Sequence, residues 1–131
     1  TMQRALLLAL SFATQTCRSY DTALPAPLSG WKQSGRGLDT GHAVTLPRSG
    51  DSIRTVMRIR KAGTFGVAID RDGWIDVLPP RGRPLRMASE SRGPTCSTIR
   101  KIVRYKLRPG TYRVTVNKLK ATRARLMLVR Y

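Results

Sequence analysis

Few side chains in this sequence could carry out catalysis. His42 is the one histidine among 131 residues, so a metal site with two histidine ligands cannot form within one chain. His42 directly precedes the predicted strand that begins at Ala43, which favours a structural role at the end of that strand. The sequence therefore predicts a protein that is not an enzyme.

Three aspartates lie close together in the sequence, at positions 70, 72 and 76. The segment Asp70–Gly73 begins like a calcium-binding loop, but an arginine intervenes and the closing glutamate is missing. We interpret it as the loop of a β-hairpin, with Gly73 where a positive φ is required. Asp70 and Asp76 would then be counter-ions for arginines on the strands. Since no turn matches a P-loop or dinucleotide motif, we expect neither a metal nor another cofactor.

The two cysteines, Cys17 and Cys96, are too few for a metal site. In an oxidising compartment they could form one disulfide, which would stabilise the fold by about 4 kcal/mol because it closes a long loop. Two alternatives remain open. Cys96 could be a buried free thiol, or it could be a nucleophile beside the basic residues Arg92 and Arg100. We favour the disulfide.

Positive charge is the strongest signal in the composition. Lys and Arg number 25 against 7 Asp and Glu, which gives a formal net charge of +18. Such a balance favours anionic partners, although a solvated basic surface without a ligand would have the same composition. Arginine predominates over lysine, and its planar guanidinium suits bidentate contacts to phosphate or carboxylate groups.

Arginines recur on one face of three predicted strands, while apolar residues occupy the other face. If these strands share a sheet, its outer face is a dense basic surface. Because like charges directly opposite one another in a sheet repel, such a density suggests a bound polyanion. The candidate anion-binding residues are Arg54, Arg58, Arg60, Arg100, Arg104, Lys106 and Arg113.

The compartment decides which anion this surface would meet. In an exported protein the candidates are an anionic polysaccharide, lipopolysaccharide or a partner protein. Nucleic acid is the alternative for an intracellular or organellar protein. Proteins that bind single strands use exposed aromatic rings, whereas Tyr105 and Tyr112 point inward by their alternation. The sequence therefore favours a non-enzymatic, exported binding module, with a nucleic-acid-binding protein as the alternative.

The alternation of apolar and polar residues predicts eight short strands. Short strands separated by turn signals at this spacing are typical of an all-β fold, an antiparallel β-sandwich of jelly-roll type. The last strand is apolar on both faces, so we expect it to be central or covered on both sides. The predicted strands are 43–47, 52–60, 64–69, 74–78, 85–88, a run within 95–107, 111–116 and 123–130.

The composition divides the chain into three parts. Residues 1–13 have a positive start, a short apolar run and small residues at 11 and 13, which is the layout of a signal peptide cut after Ala13. A retained N-terminal helix and a mitochondrial presequence are the alternatives, and the run is too short to span a bilayer. Residues 14–42 are rich in Pro, Gly, Ser and Thr and predict an irregular segment, in which Trp31 closes one end of the core. Residues 43–131 form the sandwich domain.

Two stretches carry a resemblance to a known group of proteins. Ala62–Phe65 followed by Trp74–Val77, and Cys96–Lys101 followed by Leu107–Val114, resemble small exported proteins of alphaproteobacteria, of the sphingomonad type. The ending Leu107-Arg-Pro-Gly-Thr-Tyr112 is also similar to the penultimate hairpin of pre-peptidase C-terminal and carbohydrate-binding-like sandwiches. The resemblance implies a jelly-roll-like sandwich in the periplasm, and it implies no activity and no functional residues.

Overall fold

The computed structural model describes residues 16–131, so the predicted signal-peptide segment 1–13 lies outside the described residues. A 3-10 helix, Ala26–Lys32, precedes eight strands that form two antiparallel sheets. This architecture confirms the predicted all-β sandwich. The strands are β1 (Val44–Pro47), β2 (Ile53–Ile59), β3 (Gly63–Ile69), β4 (Trp74–Leu78), β5 (Ser89–Arg92), β6 (Lys101–Leu107), β7 (Gly110–Asn117) and β8 (Arg123–Arg130).

The larger sheet has the strand order β1-β8-β3-β6-β5, and the smaller one has the order β2-β7-β4. The main core lies between them and is built from the alternating apolar residues that the sequence indicates. In β2, Ile53, Met57 and Ile59 are buried, whereas Arg54 and Arg58 are exposed. The predicted inward and outward faces of this strand are therefore confirmed.

Strands β3 and β4 do not form the predicted hairpin, because they belong to different sheets. β3 already has β6 on one side and β8 on the other, so no edge is left for β4. β4 pairs instead with β7, and the segment Asp70–Gly73 carries the chain from one sheet to the other. Alternation along a strand is the same in either arrangement, so the sequence pattern does not distinguish them.

The predicted weak strand Leu85–Ala88 is also wrong. The strand in this region is β5, which consists of polar residues and pairs only with β6 at the edge of the larger sheet. Leu85 and Ala88 make single backbone hydrogen bonds, to the carbonyl oxygens of Val77 and Arg104, at 2.8 and 2.7 Å. A polar edge strand gives no hydrophobic periodicity, which is why the sequence places it too early.

Strand β8 is apolar on both faces, as the sequence indicates, and both faces are covered. Leu126 and Leu128 point into the main core, while Met127 and Val129 point to the outer face of the larger sheet. There they pack under the segment that contains the 3-10 helix, whose Trp31 is 1% exposed. Trp31 therefore covers the outer face of this sheet. The prediction that it closes one end of the main core is wrong.

Arg125 fastens this covering segment to the sheet. Its guanidinium donates hydrogen bonds to the carbonyl oxygen of Trp31 at 2.7 and 3.0 Å and to that of Gln33 at 3.1 Å. The same group donates to the hydroxyls of Ser34 and Thr45 at 3.2 and 3.3 Å. The planar, permanently charged guanidinium thus donates hydrogen bonds to backbone carbonyls that have no partner within the irregular segment itself.

The disulfide predicted between Cys17 and Cys96 is present, with 5.4 Å between the Cα atoms and a sequence separation of 79. It is accompanied by a hydrogen-bond chain: Trp31 Nε1 donates to Thr98 Oγ1 at 2.9 Å, and Thr98 Oγ1 donates to Asp21 Oδ2 at 2.6 Å. The disulfide and this chain hold the start of the covering segment against the loop before β6.

We expect Arg125→Lys to lower the free energy of unfolding by about 2 kcal/mol, because an ammonium cannot reproduce the forked contacts to the covering segment and to Thr45 of β1. Urea denaturation followed by tryptophan fluorescence measures the change. Arg123→Lys, at an exposed position of the same strand, is the matched control and should change the stability by less than about 0.5 kcal/mol. Equal stabilities of the two variants would contradict the role of Arg125.

We also expect the double variant Cys17→Ser/Cys96→Ser to lose about 2–4 kcal/mol of stability, because the unfolded chain regains the entropy of a long open loop. Chemical reduction of the wild type should produce the same loss, and it should leave the double variant unchanged. A double variant as stable as the oxidised wild type would show that the remaining contacts of the covering segment suffice.

Candidate anion-binding surface

The outer face of the smaller sheet carries three of the predicted cations. Arg54 and Arg58 point outward from β2, and Arg113 points outward from the central strand β7; all three are exposed. The register places Arg113 opposite Val56, between the two arginines of β2. Arg113 is therefore a diagonal neighbour of both arginines of β2, at roughly 7–8 Å, and the three positions form a shallow triangle across the two strands. We call Arg54, Arg113 and Arg58 the arginine diagonal.

The strand register keeps these three cations out of directly opposed positions. Threonines of β7 lie opposite Arg54 and Arg58, and apolar residues of β2 and β4 lie on the two sides of Arg113. Directly opposed like charges destabilise a sheet, and this arrangement avoids them. The sheet can thus present three exposed guanidinium groups without a ligand, so the density of charge alone does not require one.

The structure does not bring all seven predicted residues together. Arg104 and Lys106 lie on β6 and Arg100 directly precedes it, so these three belong to the larger sheet, whereas the arginine diagonal belongs to the smaller one. Arg60 follows the end of β2, near the diagonal. The condition for a single shared face is therefore not met.

Two of the three residues near β6 have structural partners. Arg100 Nε lies 2.5 Å from Asp72 Oδ1, an ion pair between exposed side chains. Arg104 donates to Ser91 Oγ at 2.7 Å, and its guanidinium lies over the ring of Tyr131, 4.4 Å from the centroid. Lys106 is exposed and makes no such contact within residues 16–131.

A cleft opens beside the free edge of β2. Its volume is about 350 Å³, and residues of β2, the loop 36–40, the start of β3 and the end of β8 line it. Its floor is apolar, from buried residues that include Phe65 and Leu128. The cations that line it are Arg36, Arg58, Arg60, Lys61 and Arg130, and we call it the basic cleft. Because Arg58 belongs to both, the cleft and the arginine diagonal are continuous.

The described cations fall into two groups according to their contacts. Five of them donate hydrogen bonds to protein groups and hold loops and strands together: Arg48, Arg100, Lys101, Arg104 and Arg125. Only Arg100 and Lys101 lie within 4.0 Å of a carboxylate in the described part of the chain. The cations of the arginine diagonal and of the basic cleft belong to the other group, whose side chains donate no hydrogen bond within residues 16–131.

The residues that the sequence marked for other chemistry have structural partners. His42 Nε2 lies 3.0 and 3.2 Å from the carbonyl oxygens of Arg36 and Gly37, so the histidine supports a loop directly before β1, as predicted. Asp70 Oδ1 accepts a hydrogen bond from the backbone N–H of Arg125 at 2.8 Å. Trp74 Nε1 donates to Asp76 Oδ1 at 3.2 Å. Of the predicted pair of counter-ions, neither Asp70 nor Asp76 is within 4.0 Å of a side-chain nitrogen of Lys or Arg among the described residues.

Sequence reasoning missed four residues of this surface. Arg36, Lys61 and Arg130 lie in a loop, a turn and at a strand end, where no alternation marks them, and only the fold brings them to the basic cleft. Trp74 is 61% exposed on the outer face of the smaller sheet. Its position at the start of a strand, outward by parity, was the available signal.

The fold shifts the titration of Tyr105, a buried residue of β6. Tyr105 is 2% exposed, and its hydroxyl donates to the carbonyl oxygen of Ile75 at 3.4 Å. Burial, followed by the charges of Asp76 and Glu90, raises the pKa of Tyr105 to about 12. All three causes disfavour the phenolate, so the group stays neutral in the folded protein at ordinary pH.

A comparison with protein-family models and with curated proteins finds no match to this chain. Among residues 16–131, no helix has the length and apolar character needed to cross a membrane.

Tyr105 predicts a loss of stability in strong base. Below about pH 10 the phenol is protonated in both states, whereas between about pH 10 and about pH 12 only the unfolded chain releases the proton, so stability falls with rising pH. Relative to Tyr105→Phe, the wild type should lose about 1 kcal/mol by pH 11. Urea denaturation at several pH values tests this. Tyr20→Phe, at a residue 57% exposed, is the control and should follow the wild type; parallel curves for all three proteins would contradict the prediction.

Proposed function

We propose that the protein is a non-enzymatic binding module for an anionic polymer of the cell envelope, an acidic polysaccharide or lipopolysaccharide. The observation that carries the proposal is the arginine diagonal on the outer face of the smaller sheet. Its three guanidinium groups are exposed, and their side chains donate no hydrogen bond to the described protein. Each can therefore make bidentate contacts to sulfate, phosphate or carboxylate groups without breaking an internal contact.

The shape of the surface suits an extended ligand. Arg54 and Arg58 are four residues apart on one strand, which separates them by about 14 Å, and Arg113 lies between them on the neighbouring strand. A polymer with regularly repeated charges can engage all three at once. Val56, which is 57% exposed, and Leu78 offer apolar surface between the cations, against which the apolar faces of sugar rings can pack.

The disulfide supports an oxidising compartment, since such bonds are rare in reducing ones. The signal-peptide layout of residues 1–13 and the resemblance to exported alphaproteobacterial proteins support the same location. In a periplasmic or secreted protein, the abundant polyanions are envelope polysaccharides and lipopolysaccharide. A partner protein with an acidic surface would meet the same arginines.

The non-enzymatic part of the proposal is supported by what the reactive groups already do. Both cysteines are consumed in the disulfide. The imidazole of His42 contacts two carbonyl oxygens of the neighbouring loop. The basic surface itself is made of guanidinium groups, which cannot act as general acids or bases because they do not lose their protons in proteins.

Nucleic acid remains the second candidate, and Trp74 is the observation that favours it. Its ring is largely exposed on the same face as the arginine diagonal, next to Asn117 in the sheet register. Exposed rings on a face that also carries cations are typical of surfaces on which single-stranded nucleic acid stacks. Asp76, whose carboxylate accepts from the Trp74 indole, places a negative charge there that would repel phosphates.

Binding of heparin and of deacylated lipopolysaccharide, measured over a range of salt concentrations, tests the proposal. We expect the triple variant Arg54→Gln/Arg58→Gln/Arg113→Gln to bind at least about tenfold more weakly at low salt. The slope of log Kd against log salt should fall by about 2, because three counterion-releasing contacts are lost. The affinity of the wild type should itself fall as the salt concentration rises, and the slope of the variant is compared with that of the wild type.

The matched control is Arg81→Gln/Arg83→Gln/Arg86→Gln, which removes the same charge from exposed positions in the loop between β4 and β5. This variant should retain affinity within about threefold, since long-range attraction alone is weakly affected. Equal losses in the two triple variants would show that net charge, and not the arginine diagonal, governs binding. Tighter binding of single-stranded DNA than of either glycan, lost in Trp74→Ala, would establish the second candidate instead.

A further inference from the structure

The basic cleft differs from the arginine diagonal in shape and in origin. The diagonal is an open sheet face, whereas the cleft is a depression of about 350 Å³ with an apolar floor. Its cations come from separate parts of the chain: Arg36 from the segment that covers the larger sheet, Arg58, Arg60 and Lys61 from β2 and the turn after it, and Arg130 from the end of β8. The folded topology adds Arg36 and Arg130 to the local run of cations at 58–61.

The need to protect an exposed sheet edge explains the presence of only some of these cations. Charged residues on edge strands prevent two sheets from pairing edge to edge, which accounts for Arg58 and Arg60 on β2. It does not account for Arg36 or Arg130, because neither belongs to that edge. Three separate segments deliver to one small volume cations that have no carboxylate partner within residues 16–131, and a bound anion explains this better.

The cleft also restricts the position of a cation before a ligand binds. The guanidinium of Arg130 lies over the ring of Phe65, 5.4 Å from its centroid, and Phe65 is itself 4% exposed, so the arginine rests on a rigid support. The apolar floor excludes water from one side of a bound anion, which strengthens its attraction to the surrounding charges. Both features lower the cost of organising the site when the ligand arrives.

One carboxylate lies in the cleft and must be counted against an anionic ligand. Asp39 lines the cavity, its Oδ1 accepts the backbone N–H of Thr40 at 2.7 Å, and its carbonyl oxygen accepts from Leu128 at 3.1 Å. These contacts fix Asp39 in the loop. Against five cations, a single carboxylate leaves the cleft strongly positive.

We propose that the basic cleft binds a compact oxyanion of the phosphate class with at least two negative charges, such as a phosphomonoester or pyrophosphate group. The volume is near the lower limit of small-molecule sites, which fits one charged group and its attached sugar but not a polymer segment. A uronate carboxylate carries one charge and matches one guanidinium fork. A phosphate group offers three or more oxygens to several forks at once. The inference deepens the proposed function and rests on it: the polymer on the arginine diagonal would be a phosphate-bearing glycan whose phosphorylated sugar enters the cleft at Arg58.

Calorimetric titration with inorganic pyrophosphate tests the site directly. We expect one saturable site in the wild type and at least about tenfold weaker binding in Arg130→Gln, from the loss of a charge-assisted contact. Since Arg130 also packs on Phe65, Arg36→Gln in the exposed loop is the second variant and should weaken binding as well. Arg81→Gln/Arg83→Gln is the control and should bind like the wild type. Glucuronate should compete poorly.

Two arms distinguish the source of the phosphate. The Arg36→Gln variant should bind deacylated lipopolysaccharide more weakly than the wild type does when the phosphates are present. After the phosphates are removed, the two proteins should bind it equally. If the variant loses affinity for pyrophosphate but not for lipopolysaccharide, the ligand is a small free phosphate compound. Absence of saturable pyrophosphate binding, equal loss in the control, or equal competition by glucuronate would overturn the proposal. Loss of glycan binding in the triple variant of the diagonal is a separate measurement, so the proposed function can stand if the cleft fails.

Discussion

The structure depends on one constraint: strand β8 is apolar on both faces and lies inside the larger sheet, so both faces must be covered. The smaller sheet covers one face, and the segment with the 3-10 helix covers the other. An irregular segment has few ways to pair its own carbonyls, and the guanidinium of Arg125 pairs those of Trp31 and Gln33. The disulfide fixes the beginning of the same segment. A half-buried cation and a covalent link thus complete a core that the two sheets alone would leave open.

The need to cover strand β8 also determines which cations contact other protein groups and which stay exposed. Most of the outer face of the larger sheet is occupied by the covering segment, and cations there, such as Arg104, contact neighbouring residues. No part of residues 16–131 covers the outer face of the smaller sheet in this way, and its arginines are exposed. The covering segment contributes Arg36 to the basic cleft as well. One chain thus uses chemically identical side chains for two purposes, and their position relative to the cover decides which.

Much of the sandwich could be predicted from the sequence, because alternation reports directly which side of a strand is buried. The inward residues of β2 and the double burial of β8 follow from it. The pairing of the strands does not follow from alternation, because the sequence of Asp70–Gly73 is equally compatible with a hairpin loop and with a crossing between sheets. The same ambiguity affected the candidate site, since β6 was grouped with β2 and β7 by charge although it lies in the other sheet. Arg36 and Arg130 carry no local pattern, so only the three-dimensional structure could assign them to the cleft.

The strand order has a consequence for how the chain acquires its structure. Apart from β5 and β6, no two consecutive strands are neighbours, and the central positions are filled late: β7 completes the smaller sheet, and β8 enters between β1 and β3. Distant parts of the chain must therefore meet before either layer is finished, which slows folding relative to proteins built from local contacts. During synthesis from the N-terminus, the polypeptide cannot close its larger sheet until residues 123–130 are available. Until then its apolar strands stay accessible, so a nascent chain of this topology has a prolonged need for protection by chaperones.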